Sequence, residues 1–275
     1  MTMVKTRPAV SVRRSFGVMA TCALSLAGCL RTLETEGDLQ KFGAVVVTGL
    51  PSDPGKSDAS ATAVFFQAFS ANVPNSRNQI NSCQFSVVDT TTREPIGQMR
   101  AGPTITMRVG TGANALSTTL AFEQPRVRYA SPGGIAYAAG DSVTLDIPGD
   151  ATGFPVAVIK TRLAEPLTVQ DVTVQPVGFP MAVRWNASSD TTTAVYISLK
   201  YANPPTRTYA NEQVLCSLRD DGTEDIQAAA LTAFHASPVA LRSLTVTRWR
   251  TAIANPAEKT LLHIVSTVDV PVVLK

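Results

Sequence analysis

The residue types that most often carry chemistry are few in this chain, and their spacing matches no local active-site pattern. There are two histidines, His235 and His263. No HExxH, no histidine pair at helical spacing and no CxxC occurs, so the local sequence offers no zinc ligand set. No Gly-x-Ser-x-Gly or Ser-x-x-Lys segment presents an activated serine. Gly110-Thr111-Gly112 and Gly133-Gly134 do not open a helix after a strand, and read as hairpin turns rather than phosphate cradles. Asp220-Asp221-Gly222-Thr223-Glu224-Asp225 is the densest acidic run. Its carboxylates and glycine could hold calcium, but the alternating ligands of an EF-hand loop are missing. A turn leading into a helix N-terminus is the plainer reading. Asn186-Ala187-Ser188 matches the glycosylation pattern by chance. No catalytic residue, metal ligand or cofactor is expected from these patterns. A hydrolase built on carboxylates distant in sequence stays open, because such dyads leave little local trace.

The elements that would position any site are mostly strands. The 275 residues are 44% apolar, 16% charged and 6% aromatic, with 18 prolines, a composition that supports a packed core and short strands joined by turns. Thr104-Ile105-Thr106-Met107-Arg108-Val109 and Ser142-Val143-Thr144-Leu145-Asp146-Ile147 alternate apolar and polar residues, the period of a half-buried strand. Strands are likewise expected over 44–48, 63–69, 83–88, 167–174, 181–185, 194–199, 214–218, 241–249, 261–268 and 270–274, with a loop at 51–60. Met181, Val183 and Trp185 point inward together, so Trp185 is a core anchor whose indole N–H needs a partner. His263 faces away from Leu262 and Ile264. One helix is predicted over 225–235, with Ile226, Ala230 and Phe234 on one stripe, Thr223, Glu224 and Asp225 at its start and His235 near its end.

The N-terminus reads differently. A basic stretch ends at Arg14, thirteen apolar and small residues follow, and then comes Cys29. Thirteen helical residues rise roughly 20 Å, short of the ~30 Å hydrocarbon core, so a signal peptide fits better than a spanning helix. Leu26-Ala27-Gly28-Cys29 resembles the lipobox of bacterial lipoprotein precursors. The resemblance implies lipid on the Cys29 thiol and cleavage between Gly28 and Cys29. With Leu30 next, it also implies sorting to the outer membrane. Val12-Arg13-Arg14-Ser15-Phe16 partly resembles a twin-arginine export signal, with Val12, Gly17 and Val18 departing from its usual residues. Residues 1–28 hold four of the 24 basic residues and no acid, leaving 20 basic against 21 acidic residues after cleavage. The positive net charge therefore belongs to the export segment, and nucleic acid is not an expected partner.

These readings combine into an all-β chain. A signal peptide spans 1–28 and a lipidated tether 29–41. Two antiparallel β-sandwich domains of immunoglobulin-like style follow, 42–150 and 151–275, divided at the Gly/Pro/Asp cluster 148–153; the second carries the short helix. The stretches 216–234 and 139–144 are loosely similar to secreted bacterial lipoproteins of two β domains without an assigned activity. With Cys22 removed and Cys29 lipidated, Cys83 and Cys216 remain as a disulfide candidate in an oxidising compartment, or else as two separate buried thiols. The expected function is a lipid-anchored module of the cell envelope that binds or builds without catalysis. Its membrane contact runs through Cys29, and an envelope protein or polysaccharide is its partner. An envelope hydrolase, or an accessory of envelope assembly or transport, is the alternative.

Overall fold

The computed structural model describes residues 39–52, 55–69, 75–77, 81–88 and 97–275. The signal peptide, Gly28, Cys29 and most of the tether lie outside the described residues. Residues 40–275 form one compact unit. Its strands are β1 (Gln40–Pro51), β2 (Lys56–Ala68), β3 (Ser82–Val87), β4 (Thr104–Val109), β5 (Leu116–Glu123), β6 (Arg128–Ala130), β7 (Ile135–Ala138) and β8 (Ser142–Ile147). There follow β9 (Ala157–Arg162), β10 (Met181–Arg184), β11 (Ala194–Tyr201), β12 (Glu212–Arg219), β13 (Thr223–Ile226), the helix α1 (Ala228–Ala236), β14 (Ser243–Ala254) and β15 (Thr260–Val272). None of the helices is long and apolar enough to cross a membrane, among the described residues.

The chain is mostly β, as expected, and its strands form a large mixed sheet and a small second sheet. One large mixed sheet runs β3-β12-β11-β14-β15-β1-β2-β6-β5-β4-β8-β9, with β7 also on β2, and β10 pairs with β13 in a small second sheet. β8 and β9, from either side of the 148–153 loop, are neighbours in the large sheet. β3, early in the chain, pairs with β12, and β1 lies parallel to β15 with Val45 opposite Ile264. The sheet also curls. The chain leaving β9 crosses the inner face of β15, where Ala164 N–H donates to Ser266 Oγ at 2.9 Å.

Alternation sets which side chains fill the core. Val45 and Val47, Ala59 to Phe65 in steps of two, Ile105 and Met107, and Val143, Leu145 and Ile147 all point inward and are buried. Phe65 packs against Tyr129 and Phe154. Tyr129 is fixed in turn by donating its hydroxyl to Gly102 O and accepting the Ala101 N–H. Gly49 occupies the inner face of β1 because a Cβ there would sit 2.2 Å from Tyr137 Oη. That hydroxyl reaches Ala164 O at 3.0 Å and ties β7 to the crossing segment.

Several local expectations are corrected. Residues 56–60, read as loop, open β2, whose Ser57 and Ala59 are buried. Gly110-Thr111-Gly112 does connect the antiparallel pair β4 and β5. Gly133-Gly134 is not a hairpin turn: β6 and β7 lie along the same edge of β2, and residues 131–134 bulge opposite two residues of β2. Residues 167–174 make isolated bridges only, Val169 to Trp185 and Val172 to Leu274. Residues 223–226 are strand, not helix start. Pairing Ile226 with Met181 buries both, and the helix begins at Ala228 with Leu231 and Phe234 inward. Its C-terminal carbonyls are met by Arg242, which donates to His235 O and Ser237 O across the Phe234 ring.

Cys83 and Cys216 stand opposite each other on β3 and β12 and form a disulfide. The link spans 133 residues and pins the edge strand to the sheet. Removing it in Cys83→Ser/Cys216→Ser should lower unfolding stability by about 5 kcal/mol on the loop-entropy estimate. Urea denaturation measures this, and a loss under about 1 kcal/mol would show that the bond constrains little of the unfolded chain.

Candidate functional site

The alternation that buries Leu244 and Val246 on β14 continues to Arg248 and Arg250, so two guanidiniums enter the interior side of the sheet. Arg248 is fully buried. All five of its N–H donors are used. Nε donates to Asp220 Oδ2 at 2.6 Å and Nη1 to the carbonyls of Glu165 and Pro166 at 3.2 and 2.8 Å. Nη2 donates to Asp220 Oδ1 at 3.1 Å and to the carbonyl of Asn186. Asp220 follows β12 on the same inward alternation as Val214, Cys216 and Leu218, and its side chain is 3% exposed. Its oxygens also receive the Trp185 indole N–H at 2.9 Å and face the Thr193 hydroxyl at 2.9 Å. The partner that Trp185 needs is therefore Asp220.

Two further carboxylates flank this pair. Asp190 accepts Thr192 N–H and Oγ1–H on one oxygen and Arg250 Nε–H, 2.8 Å away, on the other. Arg250 also donates to Thr161 Oγ1 on β9 at 2.7 Å. Glu165 accepts from Ser188 Oγ and from Ser189 N and Oγ. For both acids burial works against the charge. The Thr192 and Arg250 donors outweigh it at Asp190, and the Ser189 and Ser188 donors with nearby Arg248 outweigh it at Glu165. Both carboxyls are held below their usual range.

Over this buried layer lies a cleft of about 610 Å³. Its walls include Arg77, Asp190, Thr191, Arg219, Asp220 and Asp221, and every lining residue is polar. A second hollow of about 350 Å³ adjoins it, sharing Arg77 and bordered by Asn75, Thr161 and Arg250. The short segment 75–77 is held between them. Ser76 Oγ donates to Thr192 O at 2.7 Å, and Ser76 N–H donates to Thr251 Oγ1 at 3.0 Å. Three carboxylates border the cleft, yet Asp190 and Asp220 are already filled by fixed donors. Among the described residues Asp221 accepts only Thr223 N–H on Oδ1, which leaves it open lone pairs.

The residues singled out by sequence fall elsewhere or apart. The acidic run does not converge: Asp220 is buried, Asp221 faces the cleft and Asp225 pairs with Arg184 at the surface. Glu224 is pushed up by burial and by the negative charges of Asp221 and Asp225. Among the described residues no three His, Cys, Asp or Glu side chains come together as a metal site. His235 is pushed down by burial and then by Arg242. His263 does face away from Leu262 and Ile264, but it is buried at 8% exposure rather than open to solvent. What sequence reasoning missed is Arg248 and Arg250. Extending the Leu244-Val246 alternation by two steps was the available signal. No known protein-family model matches the chain, and no curated protein matches it.

Breaking one side of the saturated pair leaves an uncompensated buried charge, whereas removing both does not. Arg248→Met and Asp220→Asn should each cost roughly 3–5 kcal/mol, and the double variant less than their sum, in a urea-monitored mutant cycle. Additive losses would show that the two side chains act independently. Asp190 and Glu165, held low in the fold, contribute stability that is complete above the unfolded values of about 4 and is lost as the pH falls through their folded values, because the unfolded chain then binds more protons. The melting temperature should therefore drop on acidification below about pH 4, and Asp190→Asn/Glu165→Gln should flatten that drop.

Proposed function

We propose that this protein is a lipid-anchored module of the cell envelope, held at the outer membrane through Cys29, that acts by binding rather than by catalysis. The observation that carries the binding half is an open cleft lined by polar residues and set on a fixed floor in which Asp220 and Asp190 are bound to arginines. Asp220 has its acceptor positions filled by Arg248, Trp185 and Thr193, and Asp190 is committed to Arg250 and Thr192, so both carboxylates serve the framework. The anchoring half is supported by the Leu26-Ala27-Gly28-Cys29 pattern after a basic and apolar leader. Burial of acyl chains at about 0.8 kcal/mol per methylene makes two or more chains a stable hold. The lipidated tether of residues 29–41 leads from that anchor toward the fold.

We also read the large sheet as two sandwich-like halves that share β14, β15 and β1. The β10–β13 pair forms the second layer of one half, and the curled strands β4, β8 and β9 that of the other. The immunoglobulin-like comparison extends no further than this layering.

Intact-mass spectrometry of protein extracted from membranes should find the chain beginning at residue 29 with a diacylglycerol thioether on its cysteine. Cys29→Ala should move the protein to the soluble envelope fraction with its disulfide intact. An unmodified Cys29 behind a retained leader would end the anchoring reading.

A further inference from the structure

Four arginines meet at the cleft and its neighbouring hollow, and they divide sharply. Arg248 and Arg250 are bound to Asp220 and Asp190 and serve the fold. Arg77 and Arg219 are exposed, line the same cleft, and make no side-chain hydrogen bond or ion pair among the described residues. An unpaired guanidinium offers five donors in a planar fork that matches carboxylate or phosphate oxygens. Two of them on one concave site, where Asp190 and Asp220 are already engaged by Arg250 and Arg248 and only Asp221 of the lining carboxylates has no ion pair among the described residues, make a site for an oxyanion.

The rest of the lining points to what carries that oxyanion. Thr191 brings a hydroxyl and Asn75 an amide N–H₂ in the adjoining hollow, neither hydrogen-bonded among the described residues, and Asp221 an acceptor. A bare inorganic anion gains nothing from Asp221, which repels it. A sugar, whose hydroxyls both donate and accept, uses all of these groups. No large apolar side chain lines the cleft to receive one from a peptide, and nucleic-acid bases find no aromatic platform in it. The floor is fixed before any ligand arrives, through Ser76, Thr192 and the Asp220 bonds, which lowers the ordering cost of binding.

We infer that the groove around Arg77 and Arg219 binds an acidic saccharide, its oxyanion taken by the two guanidiniums and its hydroxyls by Thr191, Asn75 and Asp221. This rests on the binding-module reading above and names its ligand class. The test is calorimetric titration of the full chain with a uronate oligosaccharide, a sugar phosphate, a neutral oligosaccharide of equal length and inorganic phosphate. One or both acidic sugars should bind, more weakly as ionic strength rises, and which of them binds decides between carboxylate and phosphate as the oxyanion. Arg77→Gln/Arg219→Gln should weaken that binding about tenfold or more while leaving the melting temperature unchanged, since neither side chain supports the fold. Equal binding of the neutral sugar, equal binding of phosphate alone, no binding of either acidic sugar, or an unaltered affinity in the double variant would each overturn the inference. The Cys29 mass and fractionation results are read separately, so a failure here leaves the anchoring reading intact, and a failure there leaves the groove's chemistry standing.

Discussion

A single ion pair, Arg248 with Asp220, sets the geometry on which the polar side of this fold depends. Both side chains are out of contact with solvent, at 0% and 3% exposure. Removing two charges from water costs several kcal/mol each, and the attraction between them recovers this only where the remaining donors and lone pairs are also filled. Here they are. Arg248 spends five donors on five acceptors, and Asp220 is approached by the guanidinium, an indole N–H and a hydroxyl. Such an arrangement tolerates no partial version, because a buried donor left over costs more than a made bond contributes.

The acceptors come from segments far apart in sequence: residues 165–166 after β9, Asn186 after β10, and Asp220 after β12. None of these carbonyls lies within a strand ladder. They are the backbone groups that a crossing segment would otherwise leave unpaired in the interior, and Arg248 satisfies three of them at once. The pair therefore does more than hold β14 to the end of β12. It lets irregular chain pass between the large sheet and the β10–β13 pair, and that chain carries Ser188, Asp190 and Thr191 into the cleft wall. Arg250, two residues on, repeats the device at smaller scale by joining Asp190 to Thr161 on the far edge strand.

How much of this was legible follows from what each segment answers to. β4 and β8 match their alternating patterns to the residue, because one face packs on the core and the other meets solvent. The disulfide was legible once two other cysteines were assigned to the leader and the lipid. Segments whose state is set by a distant partner were misread. Lys56 to Ser60 has the composition of a loop but is drawn into β2 by β1 on one side and β7 on the other. Thr223 to Asp225 has the chemistry of a helix cap, yet Ile226 gains more by pairing beside Met181, and the helix starts three residues later than expected. The cluster at 148–153 is a related case. A Gly/Pro/Asp cluster marks a tight connection, and whether it separates domains depends on whether the strands either side pair with each other, as β8 and β9 do. The site was the least legible part, since two inward arginines look like the exposed half of a strand unless the phase of the neighbouring valine is followed.

Saturation, rather than residue type, is what separates framework from function in this cleft. Arginine, aspartate and threonine occur in both roles here. Arg248 and Asp220 have their hydrogen-bonding capacity consumed by each other and by fixed neighbours, Arg250 and Asp190 are paired beside them, and a ligand competing for these groups would have to unmake interactions that hold the crossing segments. Arg77, Arg219, Thr191 and Asp221 project from that fixed layer with capacity to spare. Keeping two guanidiniums unpaired while other acids lie close by is possible because those acids are already bound below them. The buried pair thus has a second effect beyond joining segments: with Asp220 engaged by Arg248 and Asp190 by Arg250, Asp221 alone offsets the two guanidiniums of the rim, and the lining keeps a positive balance that favours an anion.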